Sequence, residues 1–210
     1  MRLYSYWRSS TSYRVRIALN LKGLAYKTAT VDLLGGAQKD PAYTALNPVA
    51  GVPTLVLDDG TVLTQSMAIL EWLEAMHPDP ALLSTDRVTA AHVRAAAMVV
   101  ACDIHPVNNL KVGGKLIQMG HIQKEVKAWM SDWMAQGLDA FEALIPNGTE
   151  FCFSDAPSLA DLCLVPQLYN ARRWGLDLSA HQRLTDIEAR CLALPAFVAA
   201  APENQPDATT

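Results

Sequence analysis

A short alternating segment that runs through a cluster of hydroxyls directly into a helical pattern narrows the folds open to this chain more than any other feature. Residues 1–6 alternate apolar and polar side chains, the period of a half-buried strand. Val15, Ala18, Leu19 and Leu21 then recur at helical spacing, and Gly23 follows where a helix stop is expected. A strand feeding straight into a helix predicts a β-α unit at the start of the chain. Between the two stand Ser9, Ser10, Thr11 and Ser12. Hydroxyls cap helix N-termini, whose unpaired N–H groups and positive dipole end also attract anions. One hydroxyl is enough for a cap. The surplus, with Arg8, Arg14 and Arg16 beside it, points to an anionic ligand.

The pattern that follows divides the chain. Residues 26–31 predict a second strand, and residues 52–57 a third, entered through a proline that needs no ladder N–H at the first strand position. Asp58, Asp59 and Gly60 predict a hairpin turn into a fourth strand at 61–63. Ser66 is the expected N-cap of a helix reaching Met76, and the proline-rich residues 77–81 break it as an interdomain linker. Beyond residue 86 no strand pattern recurs. Helical periodicity covers 87–110, 121–145, 158–174 and 184–194. Ser158 and Asp161 form a capping box for the third of these helices, Pro166 lies inside it, and Gly175 is placed to end it. The tail after Pro202 is expected to be loosely ordered. The domains predicted are an α/β domain over residues 1–82 and an all-helical domain over 87–210.

Half of the 210 residues are hydrophobic and 18% are charged, so the chain should bury a sizeable core. A net charge of −4 without a basic stripe argues against nucleic acid as a partner. Cys102, Cys152, Cys163 and Cys191 show neither a CxxC pair nor a metal-ligand spacing, and all four are expected as buried, reduced thiols. No metal site is predicted. The start lacks the apolar core of a signal peptide and no apolar run approaches membrane-spanning length, so the expected setting is the cytoplasm, with no membrane partner.

Ser9-Ser10-Thr11 followed by Arg14-Val15-Arg16-Ile17-Ala18-Leu19 resembles the N-terminal motif of zeta-class glutathione transferases, the maleylacetoacetate and maleylpyruvate isomerases. Many members carry cysteine where Thr11 stands. Other stretches resemble the class in both halves of the chain: Cys102-Asp103-Ile104-His105-Pro106 with Asn108-Asn109, residues 158–161, Leu164-Val165-Pro166-Gln167 and Gln205-Pro206-Asp207. The resemblance implies an α/β thioredoxin-like N-terminal domain followed by an all-α C-terminal domain, glutathione as cofactor, and a homodimer. It also implies a cis Val52-Pro53 bond, which sequence alone would give a prior of only about 5–6%. Such a bond would leave the Val52 N–H and C=O free for the cysteinyl backbone of glutathione. Gln65 and Ser66 fit the family's clamp on the γ-glutamyl end, and His105 and Asn109 the pair that reaches glutathione across a dimer interface. Without the resemblance, Gln65-Ser66 reads as a strand end plus a cap, and His105 as a structural histidine.

Glutathione must ionise to act as a nucleophile. A helix N-terminus and one charge-assisted hydrogen bond together favour a thiolate by about 2–4 kcal/mol, which lowers a thiol near 8.5 by about 1.5–3 units. Ser9 matches the family's thiolate-stabilising serine; Tyr4 and Tyr6 are rivals, since other transferase classes use an early tyrosine. Ser10 and Thr11 complete the catalytic hydroxyls, and Thr11 keeps a hydrogen-bond donor where the family's cysteine would stand. For a dicarboxylate substrate, Arg173 corresponds to the family's carboxylate-binding arginine and Arg8 is a second candidate, arginine suiting planar carboxylates better than lysine. Against these stand a helix-terminal cation for Arg173 and a surface ion pair for Arg8. The activity implied is glutathione-dependent cis–trans isomerisation of a maleyl keto acid, maleylacetoacetate narrowly ahead of maleylpyruvate. A general glutathione transferase and a non-catalytic interaction module of the same fold remain the alternatives.

Overall fold

The computed structural model describes residues 1–209. They form two compact units: Met1–Ala81 together with the segment from Leu192 onward, and Leu82–Cys191.

The first unit runs β1 (Arg2–Ser5), α1 (Ser10–Leu21), β2 (Lys27–Thr30), a single turn α2 (Pro41–Thr44), β3 (Thr54–Val56), β4 (Val62–Thr64) and α3 (Ser66–Met76). The sheet order is β2-β1-β3-β4, with β1 parallel to β2 and antiparallel to β3, and β3 antiparallel to β4. This is the thioredoxin-like arrangement, with a helical domain following it. Leu3 pairs with Leu55, and both are wholly buried with Val15, Ile17 and Leu19 of α1 and Ile69, Leu70 and Leu73 of α3. Alternation in β1 accounts for this: Leu3 and Ser5 face inward while Tyr4 is half-buried on the other face.

Several boundaries differ from expectation. The second strand is shorter than 26–31, and the third and fourth are shorter or shifted by one residue. Ser66 does not cap α3 but is its first residue. Gln65 holds the cap position at φ 67°, because the Ser66 hydroxyl is turned inward to accept from Arg14 Nη1 at 3.3 Å. Arg14 and Arg16, grouped by sequence with the hydroxyl cluster, are both buried. Arg16 donates to the Ala200 carbonyl (2.9 Å), Ser5 Oγ (3.0 Å) and the Trp7 carbonyl (3.0 Å). The tail is not loose. A ninth helix, α9 (Pro195–Ala200), packs against α1; after it Gln205 Nε2 donates to the Ala199 and Ala201 carbonyls, and the Trp7 N–H donates to Asp207 Oδ2 at 3.0 Å. The segment from Leu192 onward therefore belongs with the first unit, whereas sequence assigned all of 87–210 to the second. The linker is pinned as well: Lys22 Nζ holds Glu74, the His77 carbonyl and the Pro80 carbonyl.

The second unit is helical: α4 (Arg87–Met98), a π-helical stretch (Val99–Ile104), α5 (Leu110–Gln118), α6 (Gln123–Leu144), α7 (Leu159–Trp174) and α8 (Gln182–Leu192). The single helix expected over 87–110 thus runs as α4 and the π-helical stretch and stops at Ile104, while α5 is a helix that the sequence reading did not include. In the π-helical stretch the His105 N–H reaches back five residues to the Val100 carbonyl at 2.9 Å, which shifts the helix phase. Val100 and Ile104 face the core while Cys102 is exposed, so the expectation of four buried thiols fails at Cys102. Gly137 of α6 permits this packing, since a Cβ there would lie 2.2 Å from Ile104. Residues 159–168 of α7 are all buried, so this helix is the axis of the unit; it ends at Gly175, whose φ of 74° favours glycine.

Candidate active site

The hydroxyl cluster is a connected structure. Ser9 is the N-cap of α1, its Oγ accepting from the Ser12 N–H at 3.2 Å. Ser9 Oγ lies 2.9 Å from Thr11 Oγ1, and Thr11 Oγ1 donates to the Val52 carbonyl at 2.8 Å. Ser9, Ser10 and Thr11 are all half-buried, and the first turn of α1 contains no acidic residue. The dipole end is therefore open to an external anion. The Val52-Pro53 bond is cis. Sequence placed both polar groups of Val52 at a ligand's disposal; the structure engages the carbonyl with Thr11, a contact across 41 residues.

Arg8 stands beside this cluster without an ion pair among the described residues. Its guanidinium lies 4.6 Å from the centroid of the Trp7 ring and donates to Tyr6 Oη at 3.4 Å, while its buried Nε has no hydrogen-bond partner among the described residues. The surface ion pair weighed against Arg8 does not occur among the described residues. Tyr6, accepting from Arg8, is 8% exposed.

A second anion-compatible locus lies at the start of α3. No side chain caps the helix, so its first amides lack the usual oxygen partner. Exposed Gln65 sits in the left-handed region, which costs an ordinary side chain about 1–3 kcal/mol and concentrates at ligand sites. Beneath it Arg14, 1% exposed, bonds Ser66 Oγ and leaves Nε and Nη2 without partners among the described residues. A buried guanidinium with open donors requires a counter-charge. Sequence grouped Arg14 with the hydroxyl cluster but did not place it beneath Ser66, 52 residues away.

In the helical unit, His105 ends the π-helical stretch and is half-buried. Asn109 is the N-cap of α5, its Oδ1 accepting from the Lys111 N–H at 3.1 Å, which gives it a structural task. Its neighbour Asn108 is 6% exposed, and both polar atoms of its side chain lack partners among the described residues. At the end of α7 the two arginines separate cleanly. Arg172 makes a two-pronged ion pair with buried Glu188, which raises its pKa first through those hydrogen bonds. Arg173 is exposed and donates to Asn170 Oδ1 at 3.4 Å. Burial pushes the Cys152 and Cys191 thiols up, which makes both poor nucleophiles. Among the described residues no cluster of His, Cys, Asp and Glu could hold a metal ion, and no helix is long and apolar enough to cross a membrane.

Residues 8–76 match the family "Glutathione S-transferase, N-terminal domain". The chain is 50% identical over 209 residues to maleylacetoacetate isomerase of Pseudomonas aeruginosa, covering 99% of this chain and 98% of that one. Among solved structures it is similar to a holo maleylpyruvate isomerase described as a bacterial zeta-class glutathione S-transferase, with TM-score 0.96, 44% identity and complete coverage of both chains. It is also similar to maleylacetoacetate isomerase of Anaeromyxobacter dehalogenans with bound GSH in the active site, with TM-score 0.90, 48% identity and coverage of 99% and 97%.

Proposed function

The chain belongs to the zeta-class glutathione transferase family, and from that premise we propose that it is a glutathione-dependent cis–trans isomerase converting maleylacetoacetate to fumarylacetoacetate. The observation that carries the reading is the open α1 N-terminus, where Ser9, Thr11 and the Val52 carbonyl are linked with no internal carboxylate. Glutathione, when bound, supplies a thiolate that adds reversibly to the conjugated double bond, leaves a single bond free to rotate, and departs unchanged.

The chain's own residues do the rest. Ser9 donates to the sulfur and shares the α1 dipole with it, holding the thiol ionised near neutral pH. Ser10 supplies a further hydroxyl for charge that develops on the substrate oxygen, and Thr11 supports Ser9 through the contact between their hydroxyls. Val52 offers its backbone to the cysteinyl unit, and Pro53 fixes that edge. Gln65, Ser66 and the first amides of α3 take the γ-glutamyl carboxylate, with Arg14 below supplying the counter-charge. Arg8 and Arg173 bind the carboxylates of the substrate. The buried, unpaired Arg14 and Arg8 nitrogens support this reading, since each calls for an anion.

We further propose a homodimer in which His105 and Asn109 reach the glutathione held by the partner subunit; the unpaired buried amide of Asn108 beside them supports it. A cytoplasmic setting fits four free thiols. A second reading, maleylpyruvate isomerase, is favoured by the TM-score of 0.96.

Steady-state rates on both maleyl keto acids, with total glutathione assayed before and after, test the proposal. Faster turnover of maleylacetoacetate with no net loss of glutathione is expected. Net consumption would make the protein a conjugating transferase, and failure to be retained on a glutathione matrix would leave only an interaction module.

A further inference from the structure

The hydroxyl chain has a direction, and that direction is wrong for its task. A carbonyl can only accept, so Thr11 donates its single proton to Val52 across 2.8 Å. In the 2.9 Å contact between Thr11 Oγ1 and Ser9 Oγ, Ser9 must then be the donor. Ser9 also accepts the Ser12 N–H. The proton expected to stabilise a bound thiolate is thus already directed at Thr11.

We propose that Thr11 is a positioning residue whose proton swings from the Val52 carbonyl to Ser9 Oγ when glutathione binds, reversing the chain; the inference rests on glutathione being the cofactor. A thiolate is the stronger acceptor, because hydrogen bonds to charged groups contribute about 1.5–3 kcal/mol against about 0.5–1.5 for neutral ones. Once the Ser9 proton turns to sulfur, two oxygens without a shared proton would face each other at 2.9 Å unless Thr11 rotates to donate. Rotation leaves the Val52 carbonyl short of a donor, which the cysteinyl N–H of glutathione replaces. The number of bonds at Val52 is conserved, while Ser9 gains a donor that polarises it toward the sulfur. Recognition of the glutathione backbone and ionisation of its thiol become one event. A threonine or serine hydroxyl performs this swing; a side chain of the same shape without the hydroxyl does not.

The test uses full-length wild type, Thr11→Val and Thr11→Ser, with thiolate ultraviolet absorbance of bound glutathione titrated against pH. Affinity for S-methylglutathione, which keeps the cysteinyl N–H but cannot ionise, is measured in parallel. Thr11→Val is expected to raise the bound thiol pKa by about 0.5–1 unit, the size of one neutral hydrogen bond. Thr11→Ser is expected to restore the wild-type value, and S-methylglutathione should bind both variants like wild type. An unchanged pKa in Thr11→Val, no restoration by Thr11→Ser, or a matching loss of S-methylglutathione affinity would overturn the relay alone. No glutathione-dependent thiolate signal in the wild type would overturn the cofactor reading and the relay with it.

Discussion

Two of the described helices, α1 and α7, have a serine at the N-cap position, and they begin differently. At α7 the Ser158 N–H and O–H both donate to Asp161 Oδ2 at 2.7 Å, while Oδ1 accepts the Cys152 N–H at 2.9 Å. Ser158 and Asp161 are 5% and 0% exposed. At α1 Ser9 also caps, but no acid follows in the first turn and the hydroxyls stay half-buried. A helix start that carries its own carboxylate has its anion built in and serves the fold. A helix start without one keeps its dipole and donors for an anion from outside. On the function proposed above, the same residue type is architectural in one place and chemical in the other, and the fourth residue decides which.

The contrast predicts opposite outcomes for mutation. Ser9→Ala should lower kcat/KM by about 10³, as loss of a preorganised donor to developing charge does, and raise the thiol pKa of bound glutathione. Only about 1 kcal/mol of stability should go with the cap. A mutant that loses stability and keeps its thiol pKa would make α1 another α7.

The other end of α7 offers a second contrast, between neighbouring arginines. Arg173→Ala should cut kcat/KM by about 10² through loss of a charged contact to substrate, with glutathione affinity unchanged. Arg172→Ala should instead cost about 1 kcal/mol of stability and spare the kinetics, since half-exposed Arg172 serves Glu188 and solvent screens part of that pair. Melting temperature and kinetics on both mutants decide it; exchanged results would exchange the assignments.

Asp161→Asn should give the smallest functional effect. Its amide would turn a donor toward Ser158 or Cys152, costing about 1–3 kcal/mol of stability with kcat/KM held near wild type. A large kinetic loss at unchanged stability would break the division between the two helix starts.

Legibility in the sequence followed the range of the interaction. The start of α1, the box at Ser158 and the stop at Gly175 rest on neighbours within one turn, and their residues announce them. The cis bond at Val52-Pro53 was legible only through resemblance, because a lone X-Pro favours trans. The Thr11–Val52 bond and the Arg14–Ser66 bond join residues 41 and 52 apart, so no local pattern encodes them. Ser66 was misjudged as a cap for that reason, its hydroxyl being claimed by a distant guanidinium. The π-helical stretch escaped because a change of phase leaves composition untouched, and with it went the exposure of Cys102.

Arg16 sets an order of events for biosynthesis. Its guanidinium, wholly buried, takes the Ala200 carbonyl as one of its acceptors, and Asp207 accepts from Trp7 next to the Arg8–Ser9 junction. On the ribosome, the strand and helix of the proposed thiol site emerge well before the residues that complete their setting, made some 180 positions later. Until then a cation that belongs in the interior has an incomplete set of partners. The hydroxyl cluster therefore acquires its final setting only after residues 200 and 207 have been made.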